Sequence, residues 1–135
     1  MSELIVFDTS VLIDQLRTDR HSGRVAGLTG VIRNCSVVLA ELWRGASTAV
    51  DRKVVEALAR SRPILTPTER NWLESGEILS KMKADQGFEP AKLRDLHFDV
   101  LIALTARSYG AKLITSNRTD FELIRKYKKF ELEVW

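Results

Sequence analysis

Residues 1–14 read MSELIVFDTSVLID. Leu4 to Phe7 is a short apolar run with two β-branched residues, which predicts a buried strand. Asp8 ends the run. Val11, Leu12 and Leu16 then recur at helical spacing, so the chain passes directly from strand into helix. A carboxylate is thereby set at the C-terminal tip of a first, central strand. Open α/β sheets bind their ligands at that edge. The competing role for Asp8 is helix N-capping, which Asp does well.

The chain has 135 residues, 44% hydrophobic and 29% charged, enough for one domain, residues 1–135, with a real core. One cysteine, Cys35, rules out an internal disulfide and suits a reducing, cytoplasmic setting. No apolar run approaches the roughly 20 residues of a membrane span. The N-terminus does not read as a signal peptide. A net charge of +3 permits an anionic partner without demanding one.

Further along, Arg17 to Gly30 is polar and reads as a loop with at most one weak helix. Val31 to Cys35 is a short second strand, and Ser36 is placed to cap a helix through Trp43 that Gly45 closes. Ser47 to Arg60 is an amphipathic helix. Ile64 and Leu65 make a third strand. Thr66, Pro67 and Glu69 fit a capping box with proline at the first helical position, opening a long helix that stops near Gly87. Phe88 to Lys92, with Pro90, reads as a loop. Asp95 to Tyr109 is a strongly apolar helix ending at Gly110. Lys112 to Thr115 is a fourth strand, Thr119 to Tyr127 a helix, and Leu132 to Trp135 a last strand. Alternation of strands and helices predicts an α/β fold in three layers, a parallel sheet of four to five strands with helices on both faces.

Three more acids sit where surface chemistry does not explain them. Glu41 lies in VVLAELW, residues 37–43, and Asp99 in HFDVLIALTA, residues 97–106. A buried carboxylate without a partner or metal is costly. Glu41 has a bland partner in Arg44 at i+3, and Asp99 would be an N-cap if its helix began late. The third is Asp120, in TSNRTDF, residues 115–121, where Asn117 is a rival ligand and a first-turn acid is favoured by the helix dipole. Four carboxylates in one cleft repel one another, and divalent cations relieve that. Oxygen-only donors select Mg²⁺ or Mn²⁺. Cys35, His21 and His97 are too few and too scattered for zinc. His97 reads as a packed or surface histidine. Arg17, Arg20, Arg24, Arg44, Arg118 and the run Arg125, Lys126, Lys128 and Lys129 are candidate phosphate contacts.

With FDTSVLID of residues 7–14, VVLAELWRG of 37–45, FDVLIALTARSYGAKLITSN of 98–117 and TDF of 119–121 in hand, the chain resembles the PIN-domain ribonucleases. Its closest similarity is to the VapC toxins of bacterial toxin–antitoxin pairs. Residues 46–92 match only in length and helix pattern. The resemblance implies Mg²⁺-dependent hydrolysis of RNA phosphodiesters, with Mn²⁺ as a substitute. It also implies dimerisation and a cognate, DNA-binding antitoxin whose tail enters the cleft. By position it places the catalytic and metal-binding acids on Asp8, Glu41, Asp99 and Asp120. Supporting groups fall on Thr9, Ser10, Ser116 and Asn117. Asn117 departs from the family's acid at the final turn, so the fourth charge is expected from Asp120.

A strand-end aspartate also suits phosphotransfer proteins. A haloacid-dehalogenase-like phosphatase wants an aspartate two residues after Asp8, where Ser10 stands. A receiver domain wants an acidic pair before its phosphoacceptor strand, and none is in place. A non-catalytic PIN-fold module that binds RNA or a partner is the remaining alternative. Trp43, Trp72 and Trp135, with Leu73, Ile78 and Phe88, exceed what a small core needs and suit a dimer or an antitoxin groove.

Overall fold

The structure, a computed structural model, describes residues 3–135, and the reading of Met1 and Ser2 lies outside the described residues. Five strands are present: β1 (Leu4–Phe7), β2 (Val31–Cys35), β3 (Ile64–Leu65), β4 (Lys112–Thr115) and β5 (Leu132–Val134). They form one parallel sheet in the order β3-β2-β1-β4-β5. The helices are α1 (Thr9–Thr18), α2 (Ser22–Ala26), α3 (Ser36–Gly45), α4 (Ala49–Ser61), α5 (Glu69–Gln86), α6 (Pro90–Ser108) and α7 (Arg118–Tyr127). None is long and apolar enough to cross a membrane.

The pleat of β1 divides the core. Ile5 and Phe7 face one side with Ile114 and pack on Val11, Val25 and Leu28, from α1, α2 and the loop after α2. Val6 and Leu113 face the other side, where α3, α5, α6 and α7 build the larger cluster around Leu96, Leu101, Phe121 and Ile124. Strand order runs outward in opposite directions from β1 and β4. The crevice beyond the C-terminal ends of these two strands is therefore the topological switch point. Asp8 and Thr115 stand on its two sides.

Several helix starts differ from those read in the sequence. The α5 capping box is formed by Thr68 and Asn71, each donating its backbone N–H to the other's side chain at 3.0 Å. Thr66 and Pro67 precede it, and the Thr66 hydroxyl instead accepts from Ser36 Oγ at 3.0 Å. Ser36 is thus the first residue of α3, and Cys35 holds the N-cap position without a side-chain bond. Pro90 opens α6 rather than breaking a loop, because its missing N–H and fixed φ suit a first turn. The helix therefore begins five residues before Asp95, and Asp99 lies in its middle rather than at a cap. Arg17 and Thr18 belong to α1, and the stretch after them carries the five-residue helix α2.

Candidate metal centre

Asp8 is nearly buried, at 4% exposure. It occupies the N-cap position of α1 yet makes no side-chain cap. Its Oδ2 instead accepts from Thr115 Oγ1 at 2.8 Å and from Ser10 Oγ at 2.9 Å. The backbone N–H of Ser116 donates to Ser10 Oγ at 3.1 Å, and that of Asn117 to Thr115 Oγ1 at 2.9 Å. The hydroxyls of Ser10 and Thr115 thus tie the turn after β4 to the turn after β1. Burial pushes the Asp8 carboxyl up, and these hydrogen bonds hold it partly back.

Glu41, on α3, accepts from Thr9 Oγ1 at 2.8 Å. Arg44 Nη2 lies 3.8 Å from its other oxygen, and the Arg44 guanidinium also rests over the Phe98 ring, 5.3 Å from its centroid. That ion pair is long, and burial followed by the Asp8 charge leaves the Glu41 carboxyl raised despite the Thr9 bond.

Asp99 projects from the middle of α6 toward both. One carboxylate oxygen each from Asp8, Glu41 and Asp99 lies within 4.8 Å of the others. Among the described residues no ion pair engages Asp8 or Asp99. Burial, then the charges of Asp8, Glu41 and Asp120, push the Asp99 carboxyl up to about 8. A cation placed among the three oxygens would favour the charged form of Asp99. The donor set is all oxygen, and two ligands on opposite sides of a magnesium ion stand ~4 Å apart. The residues fit a hard divalent cation.

Asp120 does not join the three. Its Oδ1 takes Lys92 Nζ at 2.9 Å and its Oδ2 takes Asn117 Nδ2 at 3.1 Å. Asn117 is the N-cap of α7, accepting from the Asp120 backbone N–H at 3.3 Å. In the sequence pattern Lys92 falls in an expected loop and carries no signal of a role at the site. Once α6 starts at Pro90, Lys92 stands seven residues before Asp99 and on the same helix face. The Ser116 Oγ is buried and has no hydrogen-bond partner among the described residues.

The basic candidates separate. Arg44 is at the site and Arg17 borders a groove that Glu41 also lines. Arg118 opens α7 and pairs with Glu122 at 3.2 Å. Arg20 lies 3.9 Å from Asp14, and Arg24 lies over the Trp135 ring. The run Arg125 to Lys129 does not border the acids. α7 runs from the C-terminal end of β4 back to the start of β5, about 15 Å, so that run sits at the opposite edge of the sheet. Lys128 there pairs with Glu74 at 2.8 Å. His97 is packed beside Trp72 and bonded to Ser75 Oγ at 3.1 Å.

The PIN domain family model matches residues 5–127, a span that holds Asp8, Glu41, Asp99 and Asp120. The chain belongs to the PIN domain family. This PIN domain is similar over 100% of its length to 99% of a chain in the DNA-bound VapBC of Salmonella typhimurium, with 26% identity and a TM-score of 0.74. It shares its fold with a chain of Rickettsia felis VapBC2 bound to promoter DNA, at 21% identity, a TM-score of 0.74 and 98% coverage of each. It shares it also with a chain of VapBC-5 from Mycobacterium tuberculosis, at 24% identity, a TM-score of 0.64 and 98% coverage of each. No curated protein matches this PIN domain in sequence.

Proposed function

We propose that this PIN domain is a divalent-metal-dependent endoribonuclease, the toxin of a VapBC-type pair. The observation that carries the reading is the convergence of Asp8, Glu41 and Asp99 on one point with a raised Asp99 carboxyl. Asp8 and Asp99 would bind Mg²⁺ directly, with Mn²⁺ as a substitute, and Glu41 would share the ion or orient the attacking water. A bound ion lowers the pKa of its water and stabilises charge on phosphoryl oxygens. Thr9 aims Glu41, and Ser10 and Thr115 aim Asp8. Glu41, held by Thr9 beside the point where the acids meet, would accept a proton from the attacking water. Water oxygen bonds to phosphorus and the P–O3′ bond breaks. The water's proton ends on the 3′ oxygen, leaving a 5′-phosphate and a 3′-hydroxyl. Arg17, Arg44 and Arg118 would meet neighbouring phosphates.

A groove of about 380 Å³ between α1, α3 and α4 would receive the antitoxin. Exposed Leu16, Val50 and Val54 border it, and Glu41 lies at one end. An amphipathic helix from the antitoxin suits those apolar walls, and similar chains occur in VapBC complexes. Trp72 and Leu73, exposed on α5, suit a second copy of the chain.

The test is cleavage of a labelled RNA with Mg²⁺, with excess chelator, and with Mn²⁺ added back. Cleavage that stops with chelator and returns with Mn²⁺ is expected. Undiminished cleavage in chelator would refute the metal mechanism, and RNA binding without cleavage would favour the non-catalytic module.

A further inference from the structure

In a cleft of acids, Lys92 is the cation the function has not used. It lies on the same face of α6 as Asp99, two helical turns away. Its ammonium bonds Asp120 at 2.9 Å and has two further N–H donors, and the side chain as a whole is 40% exposed. Asp120, only 19% exposed, has both oxygens engaged, by Lys92 and by Asn117. Asp120 is therefore held apart from the three acids that converge.

We propose that the Lys92 ammonium takes the place of a second divalent cation in this site, keeping Asp120 out of the coordination sphere and presenting a fixed positive charge to the RNA phosphate. The proposal rests on the reading of Asp8, Glu41 and Asp99 as a cation site. Its logic is charge balance. One divalent ion leaves three carboxylates with one net negative charge, and the Lys92–Asp120 pair adds none. Four free carboxylates would instead hold four negative charges and call for two ions. A compact ammonium on a flexible stem can keep one bond to Asp120 and offer the others to a phosphate oxygen. Asn117 fits the same arrangement: it caps α7 and donates to Asp120, adding no charge of its own.

The experiment is a calorimetric Mn²⁺ titration of the full chain as wild type, Asp120→Asn, Lys92→Met and Lys92→Arg. RNA cleavage kinetics and urea unfolding of the same proteins accompany it. Wild type should bind one Mn²⁺ per chain, and Asp120→Asn should bind one with unchanged affinity. Lys92→Met should lose about 100-fold or more in kcat, the scale of losing one preorganised donor, without weaker Mn²⁺ binding. Lys92→Arg should recover part of that loss. Two Mn²⁺ of similar affinity in wild type would overturn the proposal, as would Mn²⁺ binding lost in Asp120→Asn. So would a Lys92→Met protein with a shifted unfolding midpoint but full kcat, since that marks a structural ion pair. Wild type that binds no Mn²⁺ would overturn the cation site itself, a result distinct from two-site binding.

Discussion

Thr115 Oγ1 donates a hydrogen bond to Asp8 Oδ2 at 2.8 Å across 107 residues of sequence, joining the tips of β4 and β1. Both residues are buried, and the Thr115 hydroxyl also accepts the Asn117 N–H. Thr115→Val keeps the shape and removes both bonds. It should destabilise the protein by ~1.5–3 kcal/mol, the range for hydrogen bonds to a charged group. Urea denaturation measures this, and an unchanged midpoint would show that the hydroxyl is idle.

Asp8→Asn, Glu41→Gln and Asp99→Asn should each cut RNA cleavage by about 100-fold or more, corresponding to the several kcal/mol a bound ion supplies to the transition state. Circular dichroism should show all three folded. Near-normal rates in Asp8→Asn and Asp99→Asn together would remove the site.

The pH dependence has a definite sign. Asp99 has a folded pKa of about 8 against an ordinary 3.8, so between those values the folded chain binds more protons than the unfolded one. Stability without metal therefore falls as pH rises through that window. Asp8 and Glu41 are also raised and act in the same direction. Melting temperature followed from pH 5 to 8 in chelator should drop by several degrees in wild type and much less in Asp99→Asn. Millimolar Mn²⁺ should abolish the drop, since the ion binds only the folded, deprotonated site. Equal slopes in wild type and Asp99→Asn would contradict this.

Gly30 lies where β2 begins beside β1. A Cβ there would stand 2.6 Å from the Glu3 carbonyl oxygen and 2.6 Å from Ile5 Cδ1. Gly30→Ala should cost about 1–3 kcal/mol through forced shifts at the first strand pair. Thermal unfolding tests it, and a wild-type melting temperature would mean the strand ends give way freely.

Trp72 and Leu73 are 51% and 65% exposed on one turn of α5. Light scattering should find a dimer at micromolar concentration, and Trp72→Ser with Leu73→Glu should give a monomer. A monomeric wild type would leave this apolar face without the expected partner.

The sequence by itself determined the α/β alternation, the strand ends and the identity of the acids, because hydrophobic period and strand-to-helix punctuation are local signals. Leu4 to Asp8 shows this, since its pattern specified both the buried strand and the carboxylate at its tip. Cap registers were less legible: Thr66-Pro67-x-Glu69 and Thr68-x-x-Asn71 overlap, and in the fold Thr68 and Asn71 form the box while the Thr66 hydroxyl accepts from Ser36. Only the tertiary structure decided that Asp8, Glu41 and Asp99 converge while Asp120 turns to Lys92. It alone sent the Arg125 to Lys129 run to the far edge of the sheet. The reason is physical: whether a carboxylate faces a cation, another acid or water depends on how α3, α6 and α7 dock on the sheet. That docking is set by contacts between residues far apart in the chain, which no local pattern encodes.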